Sequence, residues 1–110
     1  MQIDTATNDG LLVVSPKGRL DSNTSPALET VLLDRISAGD TAISVDFSGV
    51  DYISSAGLRV LLMAAKRLGP AKGSITLHAM SPEIREVFEI SGFLTILKVY
   101  PDLNAALAAR

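Results

Sequence analysis

Three times in this chain a serine stands just before a run whose apolar residues recur at helical spacing, and each run closes on a glycine. Ser25-Pro26 opens the first, with Leu28, Val31, Leu32, Arg35 and Ile36 following and Gly39-Asp40 ending it. Ser54-Ser55 opens the second, which spans roughly Ser55 to Leu68. Its stripe is Leu58, Leu61, Leu62, Ala65 and Leu68, and the additional Val60 and Met63 predict burial on more than one side. Lys66 and Arg67 lie in its last turn, where the helix dipole favours cations, before Gly69-Pro70. Ser81-Pro82 opens the third, with Glu83 in the first turn, Ile84, Val87 and Phe88 as the buried stripe, and Gly92 at the end. A serine oxygen satisfies an otherwise free amide of the first turn, and a proline there gives up an N–H that has no intrahelical partner.

Strand patterns fill the intervals. Residues 2–7 and 11–18 flank Asn8-Asp9-Gly10, a turn cluster between two strand-like segments, and predict a β-hairpin. Residues 42–48 alternate with Ile43, Val45 and Phe47 on one side; residues 74–79 and 94–99 predict further strands, and Pro101 to Ala109 a short terminal helix. The order β-β-α-β-α-β-α-β-α predicts a single α/β domain over 1–110. A mostly parallel central sheet, an N-terminal hairpin and four helices follow from right-handed crossovers. Helix N-termini then gather at the carboxyl ends of the strands, where sites of such folds form.

Composition narrows the function classes. With 110 residues, 47% of them hydrophobic and 20% charged, the chain fills one core and is too short for two domains. Its most apolar window, Leu58 to Leu68, is broken by Arg59, Lys66 and Arg67, so no membrane insertion is expected. The first residues lack a basic stretch followed by an apolar one, so no secretory signal is expected. No cysteine occurs, which excludes disulfides and fits a cytoplasmic location. The net charge of −2, with interspersed acids and bases, argues against direct nucleic-acid binding.

No enzyme motif emerges. Gly57, Gly69 and Gly73 lack the spacing of a phosphate-binding loop, and the serine of S-A-G-L is not in a G-x-S-x-G elbow. The only histidine, His78, lies in an alternating strand and reads as a satisfied or surface residue. Asp46 and Asp51 flank a turn without a matching site. Neither an activity of the chain itself nor a cofactor or metal is expected.

A helix needs only one N-cap, which leaves one of Ser54 and Ser55 unexplained. Either can serve as the cap, and the other reading is a serine displayed for chemistry done by a second protein. The whole stretch V-D-F-S-G-V-D-Y-I-S-S-A-G-L-R-V-L-L resembles the signature of the STAS domain found in bacterial anti-sigma factor antagonists. In that signature a strand of the type V-D-L-S is followed by a spacer, an aromatic residue, an acidic residue, a phosphorylatable serine, a small residue and Gly-Leu. Here these positions are Val45 to Ser48, Tyr52, Ser54, Ser55, Ala56 and Gly57-Leu58. Upstream, G-R-L-D-S-N-T is similar to the family's G-x-L-D-x-x-T, with its acid on Asp21 and its threonine on Thr24. The hairpin, element order and length extend the likeness over nearly the whole chain.

The resemblance implies an anti-sigma factor antagonist. Unmodified, such a protein binds an anti-sigma factor that is often also a serine kinase of the histidine-kinase-like ATPase type. Phosphorylation ends the interaction and a PP2C-type phosphatase restores it. The implied phosphorylation site is Ser55, with Ser54 as second choice because Ser54 replaces the usual acid. Asp21, Ser22, Thr24, Ser54, Ser55, Ala56, Gly57 and Arg59 are expected to border the partner surface. The alternative is a STAS subunit of a lipid-trafficking ABC transporter, acting as a constitutive interaction module.

Overall fold

The computed structural model describes residues 1–109. Its elements in chain order are β1 (Ile3–Asn8), β2 (Leu11–Pro16), β3 (Gly18–Leu20), α1 (Ser25–Ser37), β4 (Ala42–Asp46), β5 (Val50–Ile53) and α2 (Ser55–Leu68). There follow β6 (Ser74–His78), α3 (Pro82–Ser91), a 3₁₀ turn (Phe93–Thr95), β7 (Lys98–Tyr100) and α4 (Leu103–Ala108). The main sheet has the strand order β1-β2-β4-β6-β7. Only the β1–β2 hairpin in it is antiparallel; every later pairing is parallel. The α/β domain with a mostly parallel sheet, N-terminal hairpin and four helices is therefore as the sequence predicts.

One face of the sheet carries Leu12, Val14, Ile43, Val45 and Leu77 into a core shared with Leu28 and Leu32 of α1, Leu58, Leu61, Ala64 and Leu68 of α2, and Ile84 and Phe88 of α3. Phe47 and Phe88 meet edge-on inside it, with ring centroids 5.9 Å apart and planes at 82°. That is the arrangement the opposed charges of ring face and ring edge favour. The helical spacing read from the sequence thus does its work in burying three helices on one sheet face.

The structure differs from the sequence reading where local hydrogen bonds outcompete alternation. Segment 11–18 is split between two strands: β2 ends at Pro16, and Gly18, with φ +99°, turns the chain as the first residue of β3. The strand expected at 42–48 ends at Asp46, whose Oδ1 accepts from the Ser48 amide at 2.9 Å and bends the chain toward β5. Residues 94–99 are not one strand. After Gly92, left-handed at φ +80°, the Ile96 and Leu97 amides donate to the Phe93 carbonyl at 3.0 and 2.8 Å, and only Lys98–Tyr100 joins the sheet. The terminal helix is shorter than 101–109, since Asp102 accepts from the Ala105 amide at 2.8 Å and starts it at Leu103.

The serine caps also divide. Ser81 caps α3 as expected, accepting from the Ile84 amide. Ser25 does not cap α1: Thr24 holds the N-cap position, and Ser25 is buried as the first helical residue with its Oγ unpartnered.

Candidate functional site

Two short strands that the sequence reading passed over assemble the site. β3 and β5 pair in parallel as a separate two-stranded sheet, with Leu20 opposite Ile53. Whatever follows Leu20 therefore emerges beside whatever follows Ile53, which brings G-R-L-D-S-N-T against D-Y-I-S-S-A-G-L. The Ser54 amide completes the junction by donating to the Leu20 carbonyl at 2.8 Å.

The turn after Leu20 is built on Asp21 and Thr24. Oδ1 of Asp21 accepts from the amides of Asn23 (2.9 Å) and Thr24 (3.1 Å). Thr24 Oγ1 accepts from the Asp21 amide at 3.0 Å and donates to the Arg19 carbonyl. The Asn23 amide is the largest influence holding the Asp21 carboxyl below its usual pKa; partial desolvation opposes it, and Thr24 and Arg19 add to the lowering. Asp21 is thus an anion that shapes the turn through its own backbone. Ser22 lies on the exposed outside of that turn. Arg19 stacks over Tyr52 with its guanidinium carbon 4.0 Å from the ring centroid, and its Nε lies 3.7 Å from Asp21 Oδ2. The sequence did not single out Arg19: its pairing with Tyr52 is visible only once β3 and β5 are in register.

Ser54 and Ser55 differ sharply. Ser54 occupies the N-cap position of α2 in an extended conformation, and its carbonyl accepts from the Leu58 amide at 3.1 Å. Its hydroxyl is buried, unpartnered and makes no capping bond. Ser55 is the first residue of the helix, exposed, with no side-chain hydrogen bond among the described residues. Ala56 is half-buried and Gly57 is buried. A Cβ on Gly57 would approach Ile53 Cγ1 to 2.8 Å and Leu20 Cβ and carbonyl oxygen to 3.2 Å, so its smallness lets α2 start directly against the β3–β5 pair. Arg59 is exposed one turn later, and a recess of about 320 Å³ beside it is lined by Leu62, Met63, Lys66 and Arg67. Of the residues predicted at the site, Asp21, Ser22, Thr24, Ser54, Ser55, Ala56 and Arg59 share this end of the molecule with at least partial exposure, whereas Gly57 is packed inside.

Chemistry elsewhere is limited. A recess of about 390 Å³ lies at the amino ends of β4, β6 and β7, around Ala42, Ser74, Lys98 and Ala106, and contains none of the predicted site residues. No group of three or more potential metal ligands occurs among the described residues. His78 is satisfied and buried: its Nδ1 is 2.7 Å from Ser44 Oγ and its Nε2 3.9 Å from Asp46 Oδ1. The Asp46 carboxylate favours a proton on Nε2, which leaves Nδ1 to accept from Ser44. Ser44 is fully buried, so this constellation is closed to a substrate. No described helix is long and apolar enough to cross a membrane.

Comparison with known proteins matches the geometry. The family model described as "STAS domain" matches residues 2–106. The chain is 43% identical over 101 residues to the "Putative anti-sigma factor antagonist BtrV" of Bordetella bronchiseptica, covering 92% of this chain and 87% of that protein. It is 30% identical over 112 residues to the anti-sigma-F factor antagonist RsfB of Mycobacterium tuberculosis, covering 96% and 85%. Among solved structures, an anti-sigma factor antagonist from Mycobacterium paratuberculosis superposes with a TM-score of 0.89 at 30% identity, covering 98% of this chain and 92% of that one.

Proposed function

This chain belongs to the STAS domain family, and from that membership we propose that it is an anti-sigma factor antagonist switched by phosphorylation of Ser55. The unmodified chain binds an anti-sigma factor that is also a serine kinase of the histidine-kinase-like ATPase type. Binding through the surface around Asp21, Ser22, Thr24 and the first turns of α2 withdraws that protein from its sigma factor. The kinase then transfers the γ-phosphoryl group of ATP to Ser55 Oγ. The bridging P–O bond to ADP breaks, the new P–O bond forms, and a base on the kinase takes the hydroxyl proton. A PP2C-type phosphatase resets the chain. The chain itself acts by binding, in the cytoplasm.

The observation that carries this reading is the contrast between the two serines. A kinase must reach the hydroxyl it modifies, and Ser55 offers an exposed, unengaged one where Ser54 turns its hydroxyl inward. The phosphate would sit at a helix N-terminus, where free amides and the dipole favour an anion by about 0.3–1 kcal/mol. The fold therefore tolerates the modification, and its effect falls on the partner. A 100-fold weaker complex needs about 2.7 kcal/mol, within reach of desolvating and repelling a group of about −1.5 to −2 charges at a close-fitting interface.

The test compares Ser55→Ala with Ser55→Asp as baits in a lysate of the native host. Capture of a histidine-kinase-like ATPase by the alanine form, and much less by the aspartate form, is the expected result. The alanine form should also take up no phosphate from that kinase. Equal capture by both, above all of transporter subunits, would make Ser55 a structural residue and the chain a constitutive module.

A further inference from the structure

Arg59 follows Ser55 by four residues on α2, and side chains at that separation stand over one another on a helix surface. Both are exposed. Three other arginines are engaged: Arg19 with Tyr52 and Asp21, Arg35 with Asp40, and Arg85 with Glu89. Arg67, also unpaired among the described residues, stands at the far end of α2. Arg59 has no ion pair, hydrogen bond or ring contact among the described residues. Helix α2, S-A-G-L-R-V-L-L-M-A-A-K-R-L, contains no acidic residue that could compete for it.

We propose that Arg59 is an intramolecular clasp for a phosphate on Ser55, so that phosphorylation both adds an anion and withdraws a cation from the partner surface. The inference rests on the proposed modification of Ser55. The anion lies N-terminal to the cation at i,i+4, the more favourable order on a helix. The planar guanidinium meets phosphate oxygens through two parallel N–H donors, which a lone ammonium cannot reproduce. In the unmodified chain Arg59 is free to meet a carboxylate on the partner. Once Ser55 is phosphorylated, the same guanidinium turns back along its own helix. A carboxylate at position 55 carries less charge and fewer acceptor oxygens, so aspartate reproduces the switch only in part.

The charged or titratable groups on the elements adjoining α2 are Arg19 and Asp21 on the β3 side, Asp51 on β5, Glu29, Asp34 and Arg35 on α1, His78 on β6, and Glu83 in the first turn of α3, which packs on β5. A suitable experiment isolates Arg59 from all of these. Phosphoserine is installed at position 55 by genetic encoding, so the result does not depend on any kinase recognising the site. The second ionisation of the phosphate is then followed by ³¹P NMR in the unsubstituted chain and in Arg59→Gln, Arg59→Lys and Arg67→Gln. Arg67→Gln removes the same charge from the far end of the helix.

A clasp predicts that Arg59→Gln raises the phosphate pKa by about 0.3 unit. Arg59→Lys should restore part of that shift, and Arg67→Gln should move it far less. The Arg59 Nε–H resonance should also shift on phosphorylation. Equal effects of Arg59→Gln and Arg67→Gln, with an unmoved Nε–H resonance, would overturn the clasp. Failure of Ser55→Ala and Ser55→Asp to discriminate in the lysate would instead overturn the phosphorylation switch itself, so the two failures are distinguishable.

Discussion

Ser54 and Ser55 share a side chain and adjoin in sequence, yet the backbone gives them opposite surroundings. Ser54 spends its main chain on both sides of the junction, donating to Leu20 and accepting from Leu58, with its hydroxyl turned inward. Ser55 contributes a first helical residue and leaves its hydroxyl to solvent. Capping preference alone could not separate them, since either fits a serine cap; the family resemblance favoured Ser55, and the bond that fixes Ser54 at the junction comes from Leu20, 34 positions upstream. His78 gives a second case: of the two readings, satisfied or surface, the structure bears out the first, with partners Ser44 and Asp46 on the neighbouring strand, where no local rule points. Burial holds its pKa below the usual histidine value, with Asp46 and Asp102 opposing the shift. A histidine depressed in this way contributes stability that is present above the unfolded pKa of about 6.5 and is lost as pH falls toward the lower folded value. Asp46, which burial pushes upward but hydrogen bonds from Ser48 and Ser15 and the nearby His78 hold below the usual carboxyl value, loses its contribution only as pH falls below about 3.8, a separate window. The melting temperature should therefore fall between pH 7.5 and 5.5, and the slope should flatten in His78→Gln. An unchanged slope in that variant would place the titrating group elsewhere.

At the scale of elements, the span of α2 was legible but not its whole buried face: Leu62 and Ala65, expected on the stripe, are half-buried, and Ala64 is buried in their place. Its span Ser55 to Leu68 coincides with the apolar periodicity, because a helix burying Leu58, Leu61, Ala64 and Leu68 must repeat every three to four residues. β3 and β5 were not legible, since three and four residues are too few for alternation to register, and each is stabilised by its partner rather than by its own pattern. Gly57 records that pairing in one atom: no side chain fits between α2 and the Leu20–Ile53 junction. Gly57→Ala should lower stability by about 1–2 kcal/mol. The crowding costs about 1–3 kcal/mol, and alanine's better helix propensity returns up to about 1 kcal/mol. Denaturant unfolding measures the difference. A more stable alanine variant would mean that the helix start has room to move away from the strands.

The whole molecule arranges these parts so that modification and stability are served by different regions. The core lies between one sheet face and helices α1 to α3, while the serine to be modified stands at the rim where β3 and β5 end. A phosphate there meets solvent and free amides rather than packed side chains, which is why the proposed switch can change binding and leave folding alone. The mostly parallel sheet and the helix count followed from capping, periodicity and element order, and parallel strands already implied that the Asp21 turn and Ser55 share one end. The β3–β5 pairing with Leu20 opposite Ile53, which holds them together, is what the sequence did not show. The most direct measurement of the central claim is calorimetric titration of the captured ATPase with the chain carrying serine or phosphoserine at position 55, paired with the melting temperature of each form. A phosphoserine form that melts as cooperatively as the unmodified chain, yet binds about 100-fold more weakly, is the predicted result. Equal affinity of the two forms, or weaker binding that merely accompanies loss of cooperative melting, would contradict it.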